Sequence, residues 1–272
     1  MRILVLVKRV PATGGRIALT DDGRAIDTRF LGFVVSPHEE CAVEEAVRFI
    51  EANGGESVVM TLGPAEAADQ LRDALAIGVD RAVLLETDGS DWDPMATSAA
   101  LTDAIRRLEA ADGPFDLILV GNESADSGGY QVGIRVAVAL DRPVVSGIKA
   151  LEIDGGVARA RRQVSGGWDV FELPLPAVVG VREGINLPRY PSVPGRLRAK
   201  KKEIDTSSPE RAAGGGPTLD HLKLPVEQEA QVEILGNGPE AAPRVVEVLR
   251  EIGVLLAAAS SSSRPQVARS IG

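Results

Sequence analysis

The chain has 272 residues, 44% of them hydrophobic, and a formal net charge of -9. That length supplies one good core, or one core with a smaller appendage, and the negative balance argues against a dedicated nucleic-acid binder. A single cysteine, Cys41, rules out an internal disulfide framework and a Cys-rich zinc site, and two isolated histidines speak against a metal centre.

The opening RILVLVKRV reads as a strand, with none of the layout of a signal peptide. No apolar run approaches the roughly 20 residues of a membrane span. A protein of the reducing cytoplasm, without direct membrane insertion, is expected. Residues 2–7, 57–62, 81–86 and 115–120 are short runs rich in Val, Ile and Leu, as strands covered on both faces should be. Between them lie helical patterns. The clearest starts at Ser36, a good N-cap followed by Pro37 and by Glu39 to complete a capping box; Val43, Val47 and Ile50 form its apolar face and Gly54 ends it. Segments 64–77, 94–111 and 130–140 read as further helices. The alternation predicts an α/β fold: a doubly wound, mostly parallel sheet with helices on both faces.

Residues 10–35 break the rhythm with short apolar runs around Asp22-Gly23, a hairpin signal. From 143 to 181 several short strands are separated by Asp154-Gly155-Gly156 and Ser165-Gly166-Gly167, which predicts an antiparallel extension of the sheet. A proline-rich connection and the basic run RLRAKKKE follow. Residues 205–226 have the composition of a linker. A helix near 239–252 carries the stripe Val245, Val248, Leu249 and Ile252, and the tail 257–272 is expected to be disordered.

The segment GNESADSGGYQVG from Gly121 follows a buried strand and precedes a helix. Ligands of open α/β sheets sit there, where backbone N–H groups and a helix N-terminus converge. Gly128, Gly129 and Gly133 allow close backbone approach, so an anion can be held by N–H groups alone, which removes the need for a lysine. Glu123 or Asp126 then accepts from ribose hydroxyls. The same residues also fit a simple Gly-rich connection whose acids cap the helix starting near Tyr130. The loop lacks the Lys-Ser/Thr ending of a Walker loop and the spaced glycines of a Rossmann site. Ser165-Gly166-Gly167-Trp168-Asp169 is similar to the phosphate loop of ATP pyrophosphatases, but it lies between strands and is followed by Val170, so it reads as a hairpin turn with Trp168 packed on it.

Together VLVKRVP, SPHEECAVEEAVRFIEANG, LGPAEAADQLRDALAIGVDRAVLL, the Gly121 loop and LPLPAVVGVREGINLPRYPSVPGRLRAKKKEI resemble the beta subunit of electron-transfer flavoproteins, over residues 1 to about 204. The resemblance implies a heterodimer whose alpha subunit holds most of a redox-active FAD while the beta subunit encloses it and buries a structural AMP. By position the AMP contacts fall on Leu6, Ser36, Pro37, His38, Glu39, Leu62, Gly121, Asn122, Glu123, Ser124, Ala125, Asp126, Ser127, Gly128, Gly129, Tyr130, Gln131 and Val132. Thr13 falls near the flavin ring. A recognition loop at 189–198 docks on acyl-CoA or related dehydrogenases through Arg189, Tyr190, Pro191, the aliphatic anchor Val193, Arg196 and Arg198. Electrons then pass toward a quinone oxidoreductase. No catalytic residue or metal is implied.

Family members usually have Gln in place of Glu123 and a second acid near Ser127. Bifurcating members, with a second FAD in place of AMP, carry Asp-Gly-Asp-Thr where this chain has Ser127-Gly128-Gly129. Two rival readings of the same pocket are an ATP-using enzyme of the pyrophosphatase type and a nucleotide-binding regulator of the universal-stress type. On the family reading residues 1–204 form the nucleotide-binding domain, and 205–256 form a linker and helix that pack on the partner. Cys41, near a helix N-terminus, is either a thiol of lowered pKa or a small packed residue.

Overall fold

The computed structural model describes residues 1–12, 14, 17–213, 215, 219–225 and 232–255. Thr13 and the tail 257–272 lie outside the described residues. Residues 1–224 form one compact unit, and the chain from 225 forms a second.

The first unit is built on β1 (Arg2–Leu6), which leads into the ribbon of β2 (Arg9–Pro11) and β3 (Phe33–Val35) and then into α1 (Pro37–Asn53). There follow β4 (Glu56–Gly63), α2 (Ala68–Ile77), β5 (Arg81–Glu86), α3 (Pro94–Asp112), β6 (Leu117–Gly121) and α4 (Val132–Ala139). The predicted capping box forms: Glu39 reaches back to the Ser36 nitrogen (3.3 Å), and Pro37 occupies the first helical position. Two elements start later than the sequence suggests. Phe115 is buried ahead of β6, and α4 begins at Val132 because Tyr130 adopts a positive φ of 54° that no helix accommodates.

The remaining strands are β7 (Val144–Asp154), β8 (Val157–Val164), β9 (Gly167–Pro174) and β10 (Ala177–Val181), followed by α5 (Val193–Lys201) and β11 (Ile204–Ser207). One nine-stranded sheet results, in the order β11-β5-β4-β1-β6-β10-β7-β8-β9. β7, β8 and β9 form the expected antiparallel extension, turning at Gly155-Gly156 and Gly166. β10 returns to lie between β6 and β7, parallel to both. At the other edge β11 pairs in parallel with β5, so the compositional linker begins with a strand and the compact unit extends past residue 204. The excursion after β1 is closed by the β2/β3 ribbon, with a smaller bridge between Leu19 and Ile26 around Gly23.

Side chains alternate across the sheet, as strands buried on both faces require. Ile3, Val5 and Val7 pack with Leu117 and Leu119 against α1 and α2, while Leu4, Leu6, Ile118 and Val120 pack against α3 and α4. In the second unit α6 (Ala242–Glu251) has no buried residue; Val245 and Ile252 of its stripe are 40% and 65% exposed. No described helix is long and apolar enough to cross a membrane.

Candidate functional site

From β1 the chain steps through α1 to β4 and through α2 to β5, then crosses the opposite face by α3 to β6 on the other side of β1. The strand order therefore reverses between β1 and β6, and the crevice beyond their carboxyl ends is where such sheets bind ligands. Three segments converge there: Lys8 as the chain leaves β1, Ser36 at the start of α1, and the loop from Gly121 to Gln131.

The loop is fastened from both sides. Ala125 N donates to Ser36 Oγ (3.0 Å), Asn122 N to Val181 O (2.8 Å) and Gly128 N to Ser124 O (3.0 Å). Lys8 Nζ lies 2.6 Å from Asp126 Oδ2, and Asp126 Oδ1 accepts from Ser127 N at 2.7 Å. Burial opposes the Asp126 charge, yet Lys8 and these hydrogen bonds hold its carboxyl below the usual range. His38 Nδ1 accepts from Glu183 N (2.8 Å), which leaves the proton on Nε2, 3.3 Å from Glu123 Oε1. The Glu123 carboxylate also raises the Tyr130 phenol. Under the loop lies Glu39, 6% exposed, its carboxyl pushed up to about 8 by burial, against the opposing pull of the Lys8 and Ser36 backbone.

Neither acid of the loop caps α4. Asp126 and Glu123 are engaged with Lys8 and His38, and the N-cap residue Gln131 makes no side-chain cap bond, its Oε1 being turned to Arg135 (3.0 Å). The α4 N-terminus is thus free of a side-chain cap, and an anion is favoured there.

The glycines divide into two kinds. A Cβ on Gly121 would stand 2.5 Å from Glu39 Cγ, and one on Gly133 would stand 2.6 Å from Val120 Cγ2, so both are demanded by packing. Gly128 has φ +55°, a backbone demand. A Cβ on Gly129 would meet nothing within 4 Å, and its φ lies outside the left-handed region. The fold of this chain alone does not require glycine there.

The structure brings the sequence-predicted nucleotide residues to one end of the sheet. Leu6 and Leu62 lie at the carboxyl ends of β1 and β4, on the face packed by α3 and α4, with Val132 beside them in the same apolar cluster. Lys8 was not foreseen. Its signal was a lysine directly after the first strand, but its partner Asp126 lies far along the chain. Ser165-Gly166 forms the β8–β9 turn, and Trp168, the cross-strand partner of Gln163, is 51% exposed. Cys41 is 2% exposed and its thiol is raised, by burial first, which settles it as a packed residue. Among the described residues His221, in the linker, has a hydrogen-bond partner only in its neighbour Asp220.

The predicted recognition loop is half helix. Val193 is the first residue of α5, with Ser192 as its cap (Gly195 N to Ser192 Oγ, 3.1 Å). Leu187, Tyr190, Val193 and Leu197 are each exposed, in the same stretch of chain as Arg196, Arg198, Lys200 and Lys201. Pro191 lies partly buried between them. Arg189 is drawn inward to Glu44 and Glu51 of α1.

The profile of the electron transfer flavoprotein domain matches residues 26–212. The chain is 36% identical over 264 residues to an electron transfer flavoprotein subunit beta of Bacillus subtilis, covering 92% of this chain and 98% of that one. The chain belongs to the electron transfer flavoprotein beta-subunit family. The subunit of the same name from Syntrophomonas wolfei is also 36% identical, over 92% of this chain and 96% of its own, and that of Thermoanaerobacterium thermosaccharolyticum is 32% identical over 94% and 100%.

Proposed function

We propose that this chain is the beta subunit of a heterodimeric electron-transfer flavoprotein that binds AMP in the β1/β6 crevice, helps enclose the FAD of an alpha subunit, and docks on acyl-CoA or related dehydrogenases. The observation that carries the nucleotide reading is Gly129: an open glycine beside a helix start without a side-chain cap, in a crevice where the fold itself leaves room. A phosphate fits the N–H groups of the loop and the α4 N-terminus, with Lys8 as the nearby cation. Asp126 is occupied by Lys8 and Ser127, so Glu123, which keeps free acceptor capacity beside His38, is the better ribose partner. The flavin, when bound, supplies the redox chemistry; this chain's residues bind, orient and exclude water.

The docking reading rests on the exposed apolar side chain of Val193 in the same helix as the basic residues of α5. An apolar anchor gives a small hot spot and the cations steer an acidic partner, which suits weak, fast-releasing contact. Electrons then leave toward a quinone oxidoreductase. Val193→Ala in the heterodimer should raise the KM for the dehydrogenase by roughly tenfold, the size of a modest hot spot, with FAD and AMP content unchanged. Steady-state transfer from a purified acyl-CoA dehydrogenase reads this, and an unaltered KM would remove the docking role.

A further inference from the structure

The segment between β10 and α5 has no regular secondary structure, yet it is held along its length by α1. Asn186 Nδ2 donates to Cys41 O (2.9 Å) and to Glu45 Oε2 (2.8 Å). Arg189 does more. Its Nε donates to Glu44 Oε2 (2.9 Å), Nη2 to Glu44 Oε1 and Glu51 Oε2 (both 2.9 Å), and Nη1 to Glu51 Oε1 (2.7 Å). The Arg189 backbone N–H also reaches Glu44 Oε2 at 3.2 Å. Glu44 is 4% exposed, a burial that a carboxylate does not tolerate without a charge partner.

The apolar side chains around this clamp are exposed. Leu187 and Tyr190 are 90% and 95% exposed, and Val193 72%. An irregular segment that exposes large apolar side chains would lose order in isolation, and a partner would then have to restore that order on binding. With Nε, Nη1 and Nη2 all donating to α1, the Arg189 guanidinium has little left to offer a partner.

We infer that Arg189 is a positioning residue for dehydrogenase docking: the Glu44–Arg189–Glu51 clamp holds Leu187, Tyr190 and Val193 in the conformation that the partner meets. This deepens the docking reading above and rests on it. A lysine cannot replace the clamp, because two carboxylates are bridged by one planar fork.

The test uses the full heterodimer with Glu44→Gln/Glu51→Gln, which dissolves the clamp and frees the Arg189 charge, beside Val193→Ala as the reference for docking. A positioning role predicts a KM for the dehydrogenase raised about five- to tenfold, with kcat and flavin potential unchanged and faster amide exchange across residues 187–192. A direct contact role predicts the opposite, since a freed guanidinium would tighten an acidic partner. A KM unchanged or lowered in the double variant therefore overturns the proposal. Should the double variant fail to fold, Glu51→Gln alone, at the solvent end of the clamp, should raise KM in the same direction by about twofold; no change there overturns it equally. If the clamp variants raise KM but Val193→Ala does not, the docking surface itself is misplaced and the positioning role falls with it.

Discussion

Gly129→Leu in the heterodimer should lose its bound nucleotide, with retention reduced at least about tenfold, while the nucleotide-stripped protein keeps its stability to within about 0.5 kcal/mol. A Cβ there meets nothing within 4 Å beyond the neighbouring residues of the chain, so the effect of a side chain at this position reports on what occupies the crevice. Gly133→Ala should do the reverse. Its Cβ would fall 2.6 Å from Val120 Cγ2 on the floor of the α3/α4 core, an overpacking worth roughly 1–3 kcal/mol. Nucleotide content and thermal unfolding of the two variants, measured side by side, separate site from scaffold. A Gly129→Leu protein with full nucleotide would show that the ligand lies elsewhere.

Glu39→Gln should make the protein more stable than wild type at pH 8 and bring the two together near pH 4.5. The carboxyl is buried beneath Gly121, with Lys8 and Asp126 the charges nearest to it, and burial lifts it from 4.5 to about 8. Between those values the folded state keeps a proton that the unfolded chain has released, so stability is full below pH 4.5 and falls as pH rises to about 8. The loss across that window is on the order of a few kcal/mol. The amide is neutral throughout, nearly the same size, and still accepts from the Ser36 nitrogen. Chemical denaturation of both proteins at pH 5 and pH 8 reads the difference. Parallel pH profiles would mean that Glu39 is ionised in the folded state.

Much of this architecture was legible because its signals are local. The Val/Ile/Leu runs of β1, β4, β5 and β6 name doubly covered strands, and Ser36, Pro37 and Glu39 mark the start of α1 within four consecutive residues. Gly155-Gly156 and Gly166-Gly167 set the hairpins of the extension. β10 was visible as a strand, but its insertion between β6 and β7 depends on partners that no local pattern names. β11, with the sequence IDTS, has little apolar content and is recruited by the free edge of β5. The site followed the same division. The position of the loop beyond β6 was readable, whereas Lys8 on Asp126 and Arg189 on Glu44, the latter pair 145 residues apart, come together only through the fold. Arg189 reads in sequence as one more cation of a docking segment, and only its two carboxylate partners show where it is spent.

The central claim is the nucleotide in the β1/β6 crevice of a flavin-bearing heterodimer. It is tested most directly by co-expressing this chain with its alpha subunit, purifying and denaturing the complex, and identifying the released nucleotides by mass spectrometry. One FAD and one AMP per heterodimer is the predicted result; two FAD without AMP, or no flavin at all, would contradict it.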